Sequence, residues 1–521
     1  MKNIRIDIRL CSILLLLALV FSVFSFPALA SGESQAAPTT EETEVPWAND
    51  PSEYRENLLA GAADYEAGCD TALLLELNSG IVVYAKNAEE RVFPASLTKI
   101  MTCLVALKFG GTMLDSLQVT VSQTALDGIA DAGGEVRLKL GEQMSLRNAL
   151  YYMMVVSSNE SANVVAEAIG GDIPTFVNMM NETAKELGCT GTHFTNAHGL
   201  HDPSHYTTAR DLSIITRAAL TYETFREIVA TAEYTVPATN MSNPAHLVTT
   251  NYLILGDGNR YLADNGAYYT YYYNLANGIK TGYTSAAGRC VVSRATDGNL
   301  DLLCVIMGAK TRMMEDGSTR YENFVEAKKL FNYGFDNFAY AKLASSGDNP
   351  DPVIQVPVEF SDDKRGVVLV PGQDVNCLLP KEYDRDKVTY SYSLDAGKEL
   401  QAPLAREQKV GTITMYYDGD KAGEADLITL TAVQEKKTER VISDVTGADK
   451  PNSEKAWYQV VLYYIIHYWY VPVLILVGGF LILILWNVSY RAYRRRQIRQ
   501  RREREAARKR RMAQYRERNG K

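Results

Sequence analysis

No C-x-x-C pair occurs in this sequence, and no cysteine spacing is of the kind that builds a metal site. Of the seven cysteines, Cys11 lies in an apolar leader, and Cys69, Cys103, Cys189, Cys290, Cys304 and Cys377 are scattered singly. An extracytoplasmic location would permit disulfides, but a chain this long does not need them to close a core. Cys290 and Cys304 could face each other across a hairpin turning at Asp297-Gly298; buried free thiols are the other reading. No internal repeat is visible. Positive charge is also scarce over most of the chain. The formal net charge of −8 includes 15 Lys/Arg against 3 Glu in 491–521 and an excess of +2 in 1–30, which leaves −22 for residues 31–490. So acidic a region is a poor nucleic-acid binder, and a site within it must supply its own cations to hold an anionic substrate.

Charge is missing altogether from residues 471–486 (VPVLILVGGFLILILW). Aromatics flank that run, with Tyr468, Trp469 and Tyr470 before it, Trp486 at its end and Tyr490 and Tyr493 after it. The pattern predicts a bilayer-spanning helix with interfacial belts, running with its flanks over 456–490. A buried core helix is the alternative. The basic tail 491–521 then stays cytoplasmic and the preceding region lies outside. At the other end, Lys2, Arg5 and Arg9 precede the apolar run 13–23 and Ala28-Leu29-Ala30, the layout of a cleavable secretory signal over 1–30.

Between these ends, 31–58 is polar, acidic and proline-containing, and reads as a disordered leader. "TALLLELNSGIVVYAKN" (71–87) holds two β-rich runs around a turn. From Ala95 to about Ala232 apolar residues recur three and four apart, a helical period. Strand patterns return over 277–309, and "YENFVEAKKLFNYGF" (321–335) reads as a closing helix. Strands, then helices, then strands and a helix predict an α+β domain over 59–340, with one antiparallel sheet covered by helices. A Gly/Asp/Pro-rich stretch (345–352) leads to strongly alternating segments, which predict a small β-rich domain over 350–445.

Three short motifs carry chemistry. In "PASLTKIMTC" (94–103), Ser96 and Lys99 stand three apart, so a helix sets hydroxyl and amine side by side. A serine is a weak nucleophile without a base, and a lysine is a base only if burial or a neighbouring cation keeps it neutral. Ser157-Ser158-Asn159 follows an apolar helical run, where it either projects side chains into a cleft or simply caps a helix. Lys280-Thr281-Gly282 falls in a strand pattern and offers a fixed cation, a hydroxyl and close backbone approach. Taken singly, each motif has an ordinary structural explanation.

In this order they follow the Ser-x-x-Lys, Ser-Asp-Asn, Lys-Thr-Gly set of penicillin-binding proteins and β-lactamases, with Ser158 in place of the Asp. The chain resembles the serine D-alanyl-D-alanine carboxypeptidases, the low-molecular-mass penicillin-binding proteins, over roughly 60–435. "FPASLTKIMT", "SNESA", "THFTNAHGLHDPSHYTTARDL" and "NGIKTGYTSAAGRC" carry the likeness. The resemblance implies a transpeptidase-like fold with a small β domain behind it, no metal and no cofactor. It implies peptidoglycan stem peptides ending in D-Ala-D-Ala as substrate and β-lactams as acylating inhibitors; that no nucleic acid is a partner is expected from the acidic charge instead. It assigns Ser96 as nucleophile, Lys99 as base, Ser157 as proton relay, and Asn159 as the group that orients Lys99 and the substrate. Lys280 and Thr281 would face the substrate carboxylate, with Gly282 beside them. The N–H groups of Ser96 and Tyr283 would form the oxyanion hole. Arg320 is a further candidate for the terminal carboxylate, and His198 would be structural.

The Tyr-rich segment 255–273 exceeds the link usual in such proteins, and either packs on itself or lines the groove. Other readings also fit a chain of this kind. A β-lactamase would need a deacylating glutamate in a Glu-x-x-Leu-Asn stretch, which the sequence lacks. An endopeptidase side activity and a non-catalytic wall-binding scaffold of the same fold are further alternatives.

Overall fold

The computed structural model describes residues 67–436, apart from 130–136, 257, 362–364, 396 and 398. Strand β1 (Thr71–Glu76) turns back through 78–80 into β2 (Val82–Lys86), and Gly80 takes the left-handed φ of 68° the turn requires. Glu76 is buried beneath this turn and accepts bonds from Ser79 N, from the hydroxyls of Ser79 and Tyr340, and from Asn78 Nδ2. Far along the chain come β3 (Ala276–Thr284), β4 (Gly288–Thr296) and β5 (Asp301–Ala309). The five strands form one antiparallel sheet in the order β2-β1-β5-β4-β3. β1 and β5 lie in its interior and are covered on both faces, so their sequences read as apolar runs and not as alternation.

Two hydrophobic cores lie on opposite faces of this sheet. Leu73, Leu75, Leu303 and Val305 point into one; Leu74, Leu302, Cys304 and Ile306 point into the other. The first core holds the helices α1 (Thr98–Gly110), α2 (Leu146–Val155), α3 (Asn159–Gly170), α4 (Ile173–Glu186), α5 (Ala209–Leu220) and α6 (Glu223–Ala230). α1 is buried nearly all round, as expected of a helix whose apolar residues form no single stripe. Ser145, Ser158, Asp172 and Thr208 cap α2, α3, α4 and α5, each accepting a backbone N–H of the first turn. The opposite face is covered by α7 (Glu322–Asn337).

From the end of α7 the strand Phe338–Ala344 pairs with Val375–Pro380. A second antiparallel sheet follows, in the spatial order Ile354–Val356, Val367–Pro371, Asp420–Thr429, Lys409–Tyr417, Val388–Leu394. Its inner residues, among them Leu369, Ile413 and Leu427, continue the α7-side core.

Two open questions are settled by register. Cys304 pairs with Ser293, and Cys290 with Gly282 on the other neighbouring strand. Cys290 and Cys304 thus point into different cores, and all six described cysteines are buried free thiols. The Tyr-rich segment packs on itself and on its neighbours. Arg260–Leu262 pairs with Tyr268–Thr270, and the buried Tyr271 hydroxyl accepts the N–H of Tyr321 at 2.8 Å. Among the described residues no helix is long and apolar enough to cross a membrane; the expected span 456–490, tail 491–521, signal 1–30 and leader 31–58 lie outside them.

Candidate active site

Ser96 sits in a single tight turn, Ala95–Leu97, that leads straight into α1, and Lys99 occupies the first turn of that helix. The turn is held open by strain that its neighbours absorb. Ala95 takes φ +49°, and its carbonyl accepts the Thr98 hydroxyl at 2.8 Å, while His205 Nε2 lies 2.7 Å from the same hydroxyl. Thr195 N–H donates to His205 Nδ1 at 3.1 Å, so Nε2 carries the proton toward Thr98. Burial holds the His205 pKa down to about 4, which keeps this tautomer uncharged. Gly199, at φ +90°, lets the loop 196–200 press against the turn; a Cβ there would stand 1.9 Å from Ala95 O.

Lys99 is completely buried, with Nζ 3.0 Å from Ser96 Oγ and 2.7 Å from both Asn159 Oδ1 and His198 O. Desolvation, then the nearby Lys280, push its pKa well below the usual lysine value, against a smaller opposing pull from Glu160. A neutral amine has two N–H bonds and one lone pair. Asn159 Oδ1 and the His198 carbonyl can only accept, so they take both N–H groups and leave the lone pair for the Ser96 hydroxyl. That arrangement can remove a proton from Ser96. His198 contributes its backbone carbonyl, and burial holds its ring pKa down to about 3.

Asn159 reaches Lys99 because it opens α3. Ser158 spends its side chain on the cap, accepting Ser161 N–H at 3.0 Å, and Ser157 is turned into the groove by φ +62°. On the sheet side, β3 brings Lys280, Thr281, Gly282 and Tyr283 along the edge of the sheet. A Cβ at Gly282 would lie 3.1 to 3.2 Å from Pro94 O, Ala95 Cβ and Ser96 N, so glycine lets this strand dock on the Ser96 turn. Lys280 is buried, and desolvation brings its pKa down to about 7; its Nζ donates to Thr281 O at 3.1 Å. Thr281 Oγ1 and Thr250 Oγ1 are 2.6 Å apart. A groove of about 520 Å³ opens here, lined by Ser96, Ser157, Thr281, Gly282 and Tyr283 together with residues of the 248–259 segment.

Residues 59–311 match the family described as D-alanyl-D-alanine carboxypeptidase, and residues 338–435 match penicillin-binding protein 5, C-terminal domain. The D-alanyl-D-alanine carboxypeptidase DacA of Haemophilus influenzae is 31% identical over 384 residues, 73% of this chain and 89% of that one. The chain belongs to the D-alanyl-D-alanine carboxypeptidase family. Its relative DacF of Bacillus subtilis is 29% identical over 358 residues, 68% of this chain and 83% of that one. The solved structure of penicillin-binding protein 5 from Haemophilus influenzae superposes with a TM-score of 0.51 at 30% identity, covering 72% of this chain and all (100%) of the other. That of penicillin-binding protein 6B from Escherichia coli, at 24% identity and covering 72% of this chain and 100% of the other, is alike in fold with a TM-score of 0.52. The fold is thus a penicillin-binding protein fold carrying an all-β C-terminal domain.

Of the expected residues, Ser96, Ser157, Thr281, Gly282 and Tyr283 line the groove, whereas Lys99, Asn159, Lys280 and Arg320 are not in its lining. Arg320 does not face the groove: it is buried and paired with Asp264 and Glu322, each at 3.2 Å, in a separate charged cavity. The Tyr-rich hairpin supplies Asp264, so the segment that exceeds the usual link also occupies this arginine. The groove is lined instead by Arg289, which the sequence reading passed over. It stands seven residues beyond Gly282, after the β3–β4 turn, and that hairpin spacing was the available signal. None of the six tyrosines between 261 and 273 lines the groove; Tyr252, Leu255 and Asn259 do.

Proposed function

We propose that the protein is a serine D-alanyl-D-alanine carboxypeptidase that removes the terminal D-Ala of peptidoglycan stem peptides through an acyl-enzyme, and that β-lactams acylate the same serine. The observation that carries this reading is the buried Lys99 amine, its pKa lowered by desolvation and by Lys280, which two acceptors, Asn159 Oδ1 and His198 O, hold 3.0 Å from Ser96 Oγ. Lys99 takes the Ser96 proton as Oγ attacks the carbonyl carbon of the penultimate D-Ala. The oxyanion is held by the N–H groups of Ser96 and Tyr283, worth about 3–4 kcal/mol per donor in acyl-transfer sites. Collapse breaks the peptide bond, and the proton passes through Ser157 to the leaving amine of the terminal D-Ala. Water, deprotonated by Lys99, then hydrolyses the ester. Asn159 orients Lys99 and the substrate amide, and Lys280 and Thr281 face the carboxylate end.

No aspartate or glutamate is among the described residues that line the groove, which disfavours a β-lactamase with its own deacylating carboxylate. A non-catalytic scaffold would have no use for a buried lysine of lowered pKa beside a serine. Ser96→Ala is expected to abolish both covalent labelling by a fluorescent penicillin and D-Ala release from a pentapeptide muropeptide. A penicillin adduct found on the Ala variant by intact mass would overturn the assignment.

We further propose a cleaved signal over 1–30, an acidic leader over 31–58, a membrane span within 456–490 and a cytoplasmic tail over 491–521. The catalytic domain (59–340) and the β-rich domain (350–445) then lie at the outer face of the cell membrane. The charge-free run 471–486 and the basic tail support this topology. Protease added to intact spheroplasts should remove the region before about residue 455 and spare a tail epitope; loss of that epitope from sealed cells would reverse the orientation.

A further inference from the structure

We propose that Arg289 is the groove's anchor for the terminal carboxylate of the stem peptide, an inference that rests on the carboxypeptidase reading above. Arg289 is the second residue of β4 and pairs in register with Tyr283, two residues beyond Thr281 on the same face of β3, so its side chain emerges on the groove side of the sheet. Its guanidinium is held in place. The central carbon lies 4.3 Å from the Tyr283 ring centroid and 4.4 Å from that of Tyr321, and Nε donates to Thr311 Oγ1 at 3.2 Å. Two rings and one hydrogen bond fix the plane of the fork, and the two terminal nitrogens keep their N–H groups for a ligand. A fork fixed in advance loses little freedom when it binds a carboxylate with two parallel bonds.

The charge on this fork is uncommitted. Among the described residues no carboxylate stands within ion-pair distance of Arg289, whereas Arg312 and Arg320 are both engaged by Asp264 and Glu322. Among the described residues the groove lining carries no acidic side chain, although the region as a whole is strongly acidic. The other two cations near the site are buried lysines whose charge is weakened by desolvation. Arginine keeps its proton throughout the physiological range, so among the described residues that line the groove it is Arg289 that offers an entering carboxylate a permanent positive charge. The reaction acts on a peptide end, and recognising an end requires a group that tests for its free carboxylate.

The test uses two reactive thioesters of an acyl-D-Ala that differ only in the leaving group: thioglycolate with its free carboxylate, and the methyl ester of the same thioglycolate. The wild-type chain should turn over the free acid with the higher kcat/KM. Arg289→Gln should lower kcat/KM for the acid by roughly 10- to 100-fold, the range for hydrogen bonds to a charged group. It should leave the methyl ester within about threefold, so that discrimination collapses, and Arg289→Lys should restore part of it. The methyl ester also reports that the variant is folded and acylates. Equal losses on both substrates, or undiminished preference for the acid in Arg289→Gln, would overturn the inference while leaving the carboxypeptidase reading intact. A wild-type chain that releases no thiol from either substrate would overturn that reading and this inference with it.

Discussion

The inner end of the groove and its mouth both hold cations, and the structure treats them in opposite ways. At the inner end Lys99 and Lys280 are fully buried and lose their hold on the proton, because desolvation penalises the charged form. At the mouth Arg289 is only half-buried and lies between two aromatic faces that favour a cation. Where the chemistry needs a base, burial removes the charge; where recognition needs a charge, the residue chosen is one that cannot lose it. The same physics explains Arg320, whose burial is tolerated because Asp264 and Glu322 neutralise it, at the cost of any role in the groove.

The largest expected break in this contrast comes at the inner end. Lys99→Arg places a permanent charge where a neutral amine is required, and acylation by penicillin should fall by about three orders of magnitude or more, measured by stopped-flow or intact mass. Near-normal acylation would mean that the Ser96 proton leaves by another route. Lys280 tests what burying a cation costs. Its folded pKa of about 7 lies below the unfolded value, so between these the unfolded chain binds a proton that the folded chain has released. Stability contributed through this residue therefore rises with pH from about 7 upward, and below that the penalty is full. Lys280→Met should raise stability by roughly 1–4 kcal/mol at pH 6, with the gain shrinking toward pH 10, while peptide turnover drops. Denaturant melts of both chains across that range would show it, and a gain independent of pH would sink the account. The smallest effects on acylation belong to the tyrosines outside the groove lining. Tyr268 and Tyr269 are exposed, and replacing both by alanine should leave penicillin acylation within about twofold. Tyr271→Ala removes a buried ring that supports Tyr321, and should cost roughly 3–5 kcal/mol in a denaturant melt. A large acylation defect in the exposed pair would bring those rings into the groove after all.

Much of the site could be read along the chain because its parts are local. Ser96 and Lys99 are three residues apart, Ser157 and Asn159 two, and Lys280 to Gly282 contiguous, so short-range geometry fixes each fragment. The helical run, the hairpins at 78–80 and 297–298 and the closing helix α7 follow from hydrophobic period and turn chemistry in the same way. Arg320 and Arg289 were another matter. Both follow the Lys-Thr-Gly strand in the chain, and nothing in composition distinguishes an arginine consumed by a distant aspartate from one left open between rings. Cys290 and Cys304 raised a similar difficulty, since a hairpin suggests proximity while the register, with a bulge between Arg289 and Val291, sends them to opposite faces.

What the sequence determined by itself was the chemistry on offer: a serine with a lysine in reach, a strand cation, a buried-type helix, and a charge-free run followed by a basic tail. Tertiary structure alone decided which of those groups hold charge and where they point. Proton affinity depends on how much water is excluded and on which charges the fold brings close, and those neighbours come from far along the chain, as His198 and Lys280 do for Lys99.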